Sequence, residues 1–254
     1  MVSDEKFYCV GKRTSLKPQV WCFSSNPALL LGSSSWGQSL DRPTLFCVDR
    51  RERISRDTVA LLYSNLSISE RTRWGGYLLE EDRERFLLGR GTLRLLLGLL
   101  RDEAPSAVAI EMGAHGKPHC PGGPEFNIGH SGDLVLIALH PFRPVGVDVE
   151  IERTVLDWEP IARRLFAGSQ VEALLRHSPS KRESAFLRLW CRFEAELKAQ
   201  GCGLAAEEAN GLNSQACRWD LTLPKGYVGA AVLLREGACG RMASIQGFPC
   251  QPLL

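Results

Sequence analysis

The chain has 254 residues, a formal net charge of +2 and 44% hydrophobic residues, enough apolar material to bury a full core in one or two domains. Near-neutral charge without a basic block of interleaved aromatics argues against nucleic acid as a partner, and the longest apolar run near the N-terminus, Ala28 to Leu31, is far too short to span a bilayer. Nine cysteines without a C-x-x-C pair read as free thiols in a reducing compartment, so a cytoplasmic location is expected.

Residues 1–43 mix Ser, Gly, Pro and isolated aromatics without helical or strand period and read as an irregular extension. Thr44 to Val48 is a first strand, and Asp57 can cap a short helix through Tyr63. From Glu80 to Arg101 a long helix is predicted, with Leu and Phe over much of its circumference and hence largely buried. Arg83, Arg90, Arg94 and Arg101 fall within about 40° of one line on it, a basic stripe that suits either solvent or an anion, while Arg85 lies off the stripe. Gly113 to Glu125 is turn-rich. His115, His119 and Cys120 have a zinc-like spacing, but Gly116 and Pro118 interrupt the helix such a spacing needs.

Phe126 to Glu150 reads FNIGHSGDLVLIALHPFRPVGVDVE. Leu134 to Leu139 and Val145 to Glu150 are predicted strands joined across Pro141 and Pro144 as a hairpin. Alternation sends Val145, Val147 and Val149 to one face and Gly146, Asp148 and Glu150 to the other. Two carboxylates on one strand face suit a hard cation such as Mg²⁺, and equally a solvated edge strand. His130 beside Ser131 can be a phosphate contact or a hydrogen-bonded core histidine.

Beyond Glu150, Pro160 to Phe166 is a short helix and Ser169-Gln-Val-Glu172 a capping box for another. Ser180-Lys-Arg-Glu183 reads as the capping box of a long helix that ends at Gly201 and Gly203. On that helix Phe186, Trp190, Phe193 and Leu197 form a core stripe within about 60°. Glu194 and Lys198 lie on a line beside it, either a site pair or an ordinary i, i+4 surface pair. Ala216 to Leu223 and Tyr227 to Leu234 return to strand around the turn at Pro224-Lys-Gly226. The class is therefore α+β, in two halves, 44–144 and 145–254, each with a small antiparallel sheet and a long helix.

Four ordered segments carry a family resemblance: Gly116-Lys117-Pro118, Asn127-Ile-Gly-His130-Ser131, Gly146-Val-Asp148-Val-Glu150, and Trp190-Cys-Arg-Phe-Glu194-Ala-Glu-Leu-Lys198-Ala-Gln-Gly201. Over roughly 44–234 the chain resembles the 4′-phosphopantetheinyl transferases of the surfactin (Sfp) type. The resemblance implies a monomeric, pseudo-twofold enzyme of the holo-[acyl-carrier-protein] synthase class, with its active site between the halves. It would transfer the phosphopantetheine arm of coenzyme A to a serine of an apo carrier protein and release adenosine 3′,5′-bisphosphate. Asp148, Glu150 and Glu194 would hold Mg²⁺, Glu194 would act as base, Lys198 would neutralise developing charge, and Arg90, Lys117 and His130 would hold the nucleotide phosphates. Two positions depart from the family pattern: Phe193 stands where lysine is usual, and Gly129 where serine is usual. A non-catalytic relative that binds coenzyme A or carrier protein, and a Mg²⁺-dependent phosphohydrolase, are the alternatives.

Overall fold

The computed structural model describes residues 19–24, 43–51, 54–113, 116–201 and 216–235. In chain order these form β1 (Gln19–Ser24), β2 (Thr44–Asp49), α1 (Arg56–Asn65), α2 (Ile68–Gly75), α3 (Glu80–Arg101), β3 (Glu111–Met112), β4 (Pro118–His119), β5 (Glu125–Ser131) and β6 (Leu134–His140). Then follow β7 (Val145–Ile151), α4 (Trp158–Leu165), α5 (Gly168–Leu175), α6 (Pro179–Gln200), β8 (Ala216–Asp220) and β9 (Tyr227–Leu234). The fold is α+β. One sheet has the strand order β1-β2-β6-β5 and a second the order β7-β9-β8, with β3 and β4 forming a separate two-stranded ribbon.

Both larger sheets are built by one connectivity. A strand (β2 or β7) is followed by three helices and then, in the first half after the β3–β4 ribbon, by two strands of the same sheet, the last of which, β6 or β9, inserts between the other two as an antiparallel partner of both. β6 and β9 are buried along their whole length, which is why they read as continuous apolar runs rather than alternating ones. Leu45, Leu136, Val147, Val149, Trp219 and Leu233 pack between the inner faces of the two sheets. α3 covers the outer face of the first sheet through Leu93, Leu96 and Leu97 against Phe46, Phe126 and Ile137. α6 covers the second through Leu187, Cys191, Ala195 and Ala199 against Val228, Ala230 and Val232. The order of layers is helix, sheet, sheet, helix.

The long helices have distinct boundaries. α3 places Glu80, Glu81 and Asp82 in its first turn and Arg101 in its last, each favourable to the helix dipole. α6 starts at the N-cap Ser178 with Pro179 in its first turn, a position where the missing N–H costs nothing. The capping box expected at Ser180 is not formed: the helix starts two residues earlier, and its N-cap Ser178 makes no side-chain capping hydrogen bond. α5 likewise starts before Ser169: its N-cap is Ala167, whose N–H donates to Gln170 Oε1 at 3.0 Å. α6 ends at Gly201, at φ 74°, with its N–H on the Leu197 carbonyl at 2.8 Å; Gly203 lies outside the described residues.

Three further expectations need correction. α1 is capped by Ser55, whose Oγ accepts the Thr58 N–H at 3.1 Å, and not by Asp57, which lies inside the first turn. β6 and β7 do not form a hairpin, since β6 pairs with β2 and β5 whereas β7 pairs with β9. Pro141 and Pro144 bracket a crossing between sheets, in which the N–H groups of Phe142 and Arg143 donate to His140 Nδ1 at 3.1 and 2.9 Å. Residues 19–24, read as irregular, form β1, parallel to β2. A six-residue edge strand takes its order from that pairing rather than from its own pattern. The remainder of 1–42 lies outside the described residues.

The two sheets meet along β5 and β7, and side chains make the join. Asn127 Oδ1 accepts the Val147 N–H at 3.0 Å, and Ser131 Oγ accepts the Ile151 N–H at 3.1 Å. Between them a side chain at Gly129 would meet the Val147 carbonyl oxygen at 2.9 Å. Across the sheet, Tyr227 Oη accepts the Asp133 N–H at 2.9 Å. On the outer face, a Cβ at Gly146 would fall 1.9 Å from the Ala195 carbonyl oxygen and 2.5 Å from the Ala199 nitrogen of α6. Neither partner is a flexible side-chain tip. Gly146→Ala should thus lower stability by about 2 kcal/mol or more, read as a fall of several degrees in thermal unfolding. Gly168→Ala, where a Cβ meets nothing within 4 Å, should change it by no more than about 0.5 kcal/mol.

Candidate active site

The alternation of β7 turns Gly146, Asp148 and Glu150 toward α6, as expected, while Val145, Val147 and Val149 enter the core between the sheets. Because Gly146 brings the strand backbone against Ala195 and Ala199, their neighbours on the helix, Glu194 and Lys198, flank the strand carboxylates. Lys198 Nζ donates to Asp148 Oδ1 at 2.6 Å. The Asp148 side chain is only 8% exposed, and its second oxygen, Oδ2, is buried without a hydrogen-bond partner. The Cys191 thiol beside it donates to the Val228 carbonyl at 3.7 Å, and burial, then the Asp148 carboxylate, pushes that thiol's pKa well up, keeping it protonated. Glu150 Oε2 accepts from Ser131 Oγ at 3.0 Å and from Arg153 Nη1 at 2.8 Å.

Asp148 thus carries the Lys198 ammonium, and the charges of Asp148, Glu150 and Lys198 are all felt at Glu194. Burial raises the pKa of Asp148, and Lys198 beside it pulls it part of the way back. Burial likewise raises Glu194, with Lys198 opposing and the charges of Asp148 and Glu150 adding to the rise. A half-buried carboxylate with a raised pKa is a better proton acceptor than a solvated one. Among the described residues no group of three or more His, Cys, Asp or Glu side chains is arranged as a ready metal cage. Mg²⁺ needs no such cage, because it usually takes one or two carboxylates and fills its shell with phosphate and water oxygens. An all-oxygen donor set with an orphaned, buried Asp148 Oδ2 fits that ion.

His130 lies at the end of β5, and its pKa is lowered by burial of part of the ring, then by Arg85 and Lys198, against Asp82 and Asp148. Of the candidate site residues, Lys198 and Asp148 are the ones whose charges reach His130. Arg90 and Lys117 sit elsewhere. Arg90 Nε faces Glu70 Oε1 at 3.4 Å in the packing of α2 on α3, and its Nη1 is buried without a partner. Lys117 Nζ donates to the carbonyls of Ala199 at 3.0 Å and Val145 at 3.4 Å, at the C-terminal end of α6. Of the rest of the basic stripe, Arg94 is buried on Glu70 and on the Pro105 and Val108 carbonyls, Arg101 pairs with Glu103 at 2.8 Å, and Arg83 with Glu80 at 3.2 Å.

The arginine beside His130 is instead Arg85, off the stripe, whose Nε donates to the Gly132 carbonyl at 2.9 Å. In the sequence it stood out only as lying off the helical line that runs through Arg90. Ser131 and Arg153 went unassigned, and no local signal marks them: each acquires its role only where β5 meets β7. The two departures have structural reasons. Phe193 is buried edge-on to Phe166 at 5.5 Å, with Trp190 at 6.2 Å, and Gly129 faces the β7 backbone with no room for a side chain. His119 lies 3.9 Å from Glu111 across the β3–β4 ribbon, and His115 lies outside the described residues.

Residues 144–230 match the family model of the 4′-phosphopantetheinyl transferase superfamily. The chain is 35% identical over 152 residues to the 4′-phosphopantetheinyl transferase HetI of Nostoc sp., an alignment covering 58% of this chain and 64% of HetI. It is 27% identical over 172 residues to the 4′-phosphopantetheinyl transferase Sfp of Bacillus subtilis, covering 67% and 71% of the two chains. It is 32% identical over 110 residues to the 4′-phosphopantetheinyl transferase AcpT of Salmonella typhi, covering 42% and 56%. The chain thus spans less than two thirds of the length of HetI and of AcpT.

The charges around His130 define a measurable consequence. In an NMR pH titration its ring should titrate below 6.5, the ordinary value. Water at its exposed edge screens these charges in part, so the direction carries the test. A neighbouring cation disfavours imidazolium, so Arg85→Gln should move the midpoint upward. A downward or absent shift would remove Arg85 from the surroundings of His130.

Proposed function

From the match of residues 144–230 to the 4′-phosphopantetheinyl transferase superfamily model, we propose that this chain moves the 4′-phosphopantetheine arm of coenzyme A onto a serine hydroxyl of an apo carrier protein. The leaving group is adenosine 3′,5′-bisphosphate. One observation carries the reading. Glu194, with a raised pKa, and Lys198, bonded to the half-orphaned Asp148, face the same strand carboxylates from one helix. The organisation of both halves by one connectivity supports the pseudo-twofold arrangement, and the site lies where β7 of the second half adjoins β5 of the first.

Attack by the serine oxygen on the β-phosphorus of coenzyme A forms one P–O bond and breaks the pyrophosphate linkage. Glu194 takes the serine proton, directly or through one water, because it is the carboxylate of the cluster without a described hydrogen-bond or ion-pair partner. Lys198 supplies positive charge at the leaving oxygen. Asp148 and Glu150, with Glu194, would hold Mg²⁺, which would supply positive charge against the pyrophosphate. His130 contacts phosphate near the reacting end. Arg90, whose free Nη1 lies outside the carboxylate cluster, and Lys117 hold the nucleotide end of a donor long enough to reach both. In a transfer of this class most of the rate comes from positioning and charge stabilisation. A monomer in the cytoplasm, serving a carrier of fatty-acid, polyketide or peptide synthesis, completes the proposal.

The decisive experiment incubates an apo carrier protein with the chain, Mg²⁺ and coenzyme A and weighs the carrier by mass spectrometry. A gain equal to the phosphopantetheine arm is expected. An unmodified carrier, with coenzyme A bound or hydrolysed, would instead mark a non-catalytic relative or a phosphohydrolase.

Two substitutions then divide the labour within the cluster. Asp148→Ala should lose activity chiefly through metal, so that high Mg²⁺ or Mn²⁺ restores part of it. Glu194→Gln keeps size and one oxygen but cannot accept a proton, and should stay down about 100-fold or more at any metal concentration. Near-full turnover by Glu194→Gln at ordinary Mg²⁺ would transfer the base role elsewhere.

A further inference from the structure

Glu150, like Asp148, is held through one oxygen only, but its donors are a hydroxyl and an exposed guanidinium rather than the Lys198 ammonium. Ser131 Oγ and Arg153 Nη1 both donate to Oε2, at 3.0 and 2.8 Å. No hydrogen bond to Oε1 is made by the described residues. The Ser131 hydroxyl also accepts the Ile151 N–H at 3.1 Å. That second contact sets the hydroxyl's polarity. With a backbone N–H directed at its lone pair, the hydroxyl has its single hydrogen free for the carboxylate, so Ser131 acts as a fixed donor rather than a freely rotating one.

The hydroxyl is itself anchored from two sides. Ser131 closes β5 opposite Leu134 of β6, and the turn between them contains Gly132 at φ 55°. Tyr227 Oη accepts the next N–H, that of Asp133, and a Cβ at Gly132 would fall 2.6 Å from that same oxygen. The turn therefore cannot shift toward β9. Arg153, by contrast, is 52% exposed and bonds Glu150 from solvent, where such a pair contributes little.

We propose that Ser131 is a positioning residue for Glu150: by holding Oε2 against the β5–β7 seam it aims Oε1 into the space beside Asp148 Oδ2, so that two strand carboxylates present their free oxygens to one cation. This rests on the reading of Asp148 and Glu150 as Mg²⁺ ligands given above. A donor that locks a ligating carboxylate in orientation changes metal affinity by roughly 10- to 100-fold when removed. It leaves the protonation chemistry of Glu194 alone.

The test uses Mn²⁺ alone, with no donor or carrier, titrated into the full chain and followed by electron paramagnetic resonance of free Mn²⁺. Ser131→Val and Ser131→Thr have nearly the same volume and differ in the hydroxyl. Ser131→Val should weaken Mn²⁺ binding about tenfold relative to wild type, and Ser131→Thr should restore most of it. Thermal unfolding without metal should be similar for both, so that a loss of affinity in Val alone cannot be a loss of fold. Equal affinities for Val, Thr and wild type, with binding still abolished in Asp148→Ala, would overturn the role of Ser131 and leave the ligand reading intact. Wild type and Asp148→Ala binding Mn²⁺ equally would overturn both.

Discussion

At Gly146 the backbone of β7 runs against that of α6 so closely that a methyl group there would lie 1.9 Å from the Ala195 carbonyl oxygen. The contact fixes strand and helix in both separation and register, because two main chains cannot slide past each other at that distance without overlap. The site is built from the immediate neighbours of the three residues that touch. Asp148 is two positions beyond Gly146 on the same strand face, Glu194 directly precedes Ala195, and Lys198 directly precedes Ala199. A carboxylate and an ammonium that would be flexible on a solvated surface are thereby set 2.6 Å apart at a mostly buried position. Ala195 and Ala199 matter to the chemistry through their smallness.

The second constraint is how the two sheets share an edge. β5 and β7 do not exchange a backbone ladder. Residues 127, 129 and 131, which share one face of β5, supply an amide, no side chain, and a hydroxyl. The amide and the hydroxyl take up the Val147 and Ile151 N–H groups, and the glycine lets the strands approach between them. Unpaired N–H groups at such an edge would be costly to bury, and side-chain acceptors satisfy them without merging the sheets. The seam also places His130, whose side chain alternates away from Gly129 and Ser131, at the rim of the carboxylate cluster.

Buried charge in this molecule divides into two kinds. Glu196, 2% exposed, is bonded by both ends of Arg218 at 2.9 Å, and Arg94 is saturated by Glu70 and loop carbonyls. Such fully satisfied pairs hold elements together and ask for nothing more. Asp148, with one oxygen bonded and the other orphaned, and Glu194, with a raised pKa beside two more carboxylates, are incomplete by the same standard. Glu194 and Glu196, two residues apart on one helix, are thus opposites in role. Their exposure alone would have pointed to the wrong one.

What the sequence determined by itself was everything with a local cause. The bounds of α3, the alternation of β7, the buried runs of β6 and β9, and the stop of α6 at Gly201 follow from periodicity, run length and a residue able to take positive φ. The resemblance of the motif segments singled out Asp148, Glu150, Glu194 and Lys198, which lie on the two elements, β7 and α6, that pack at Gly146. Tertiary structure decided what depends on which surfaces meet. β6 and β7, adjacent in the chain and apparently a hairpin, went to different sheets, because hydrogen-bonding partners are chosen by burial and not by proximity in sequence. Arg85 rather than Arg90 came to stand beside His130, since the α2–α3 contact engages the Arg90 side of the helix. Ser131 and Tyr227 acquired their roles from partners 19 and 94 residues away. Helical and strand periods repeat over a few residues and are written in the chain, whereas the meeting of β5, β7 and α6 depends on packing the whole core around them.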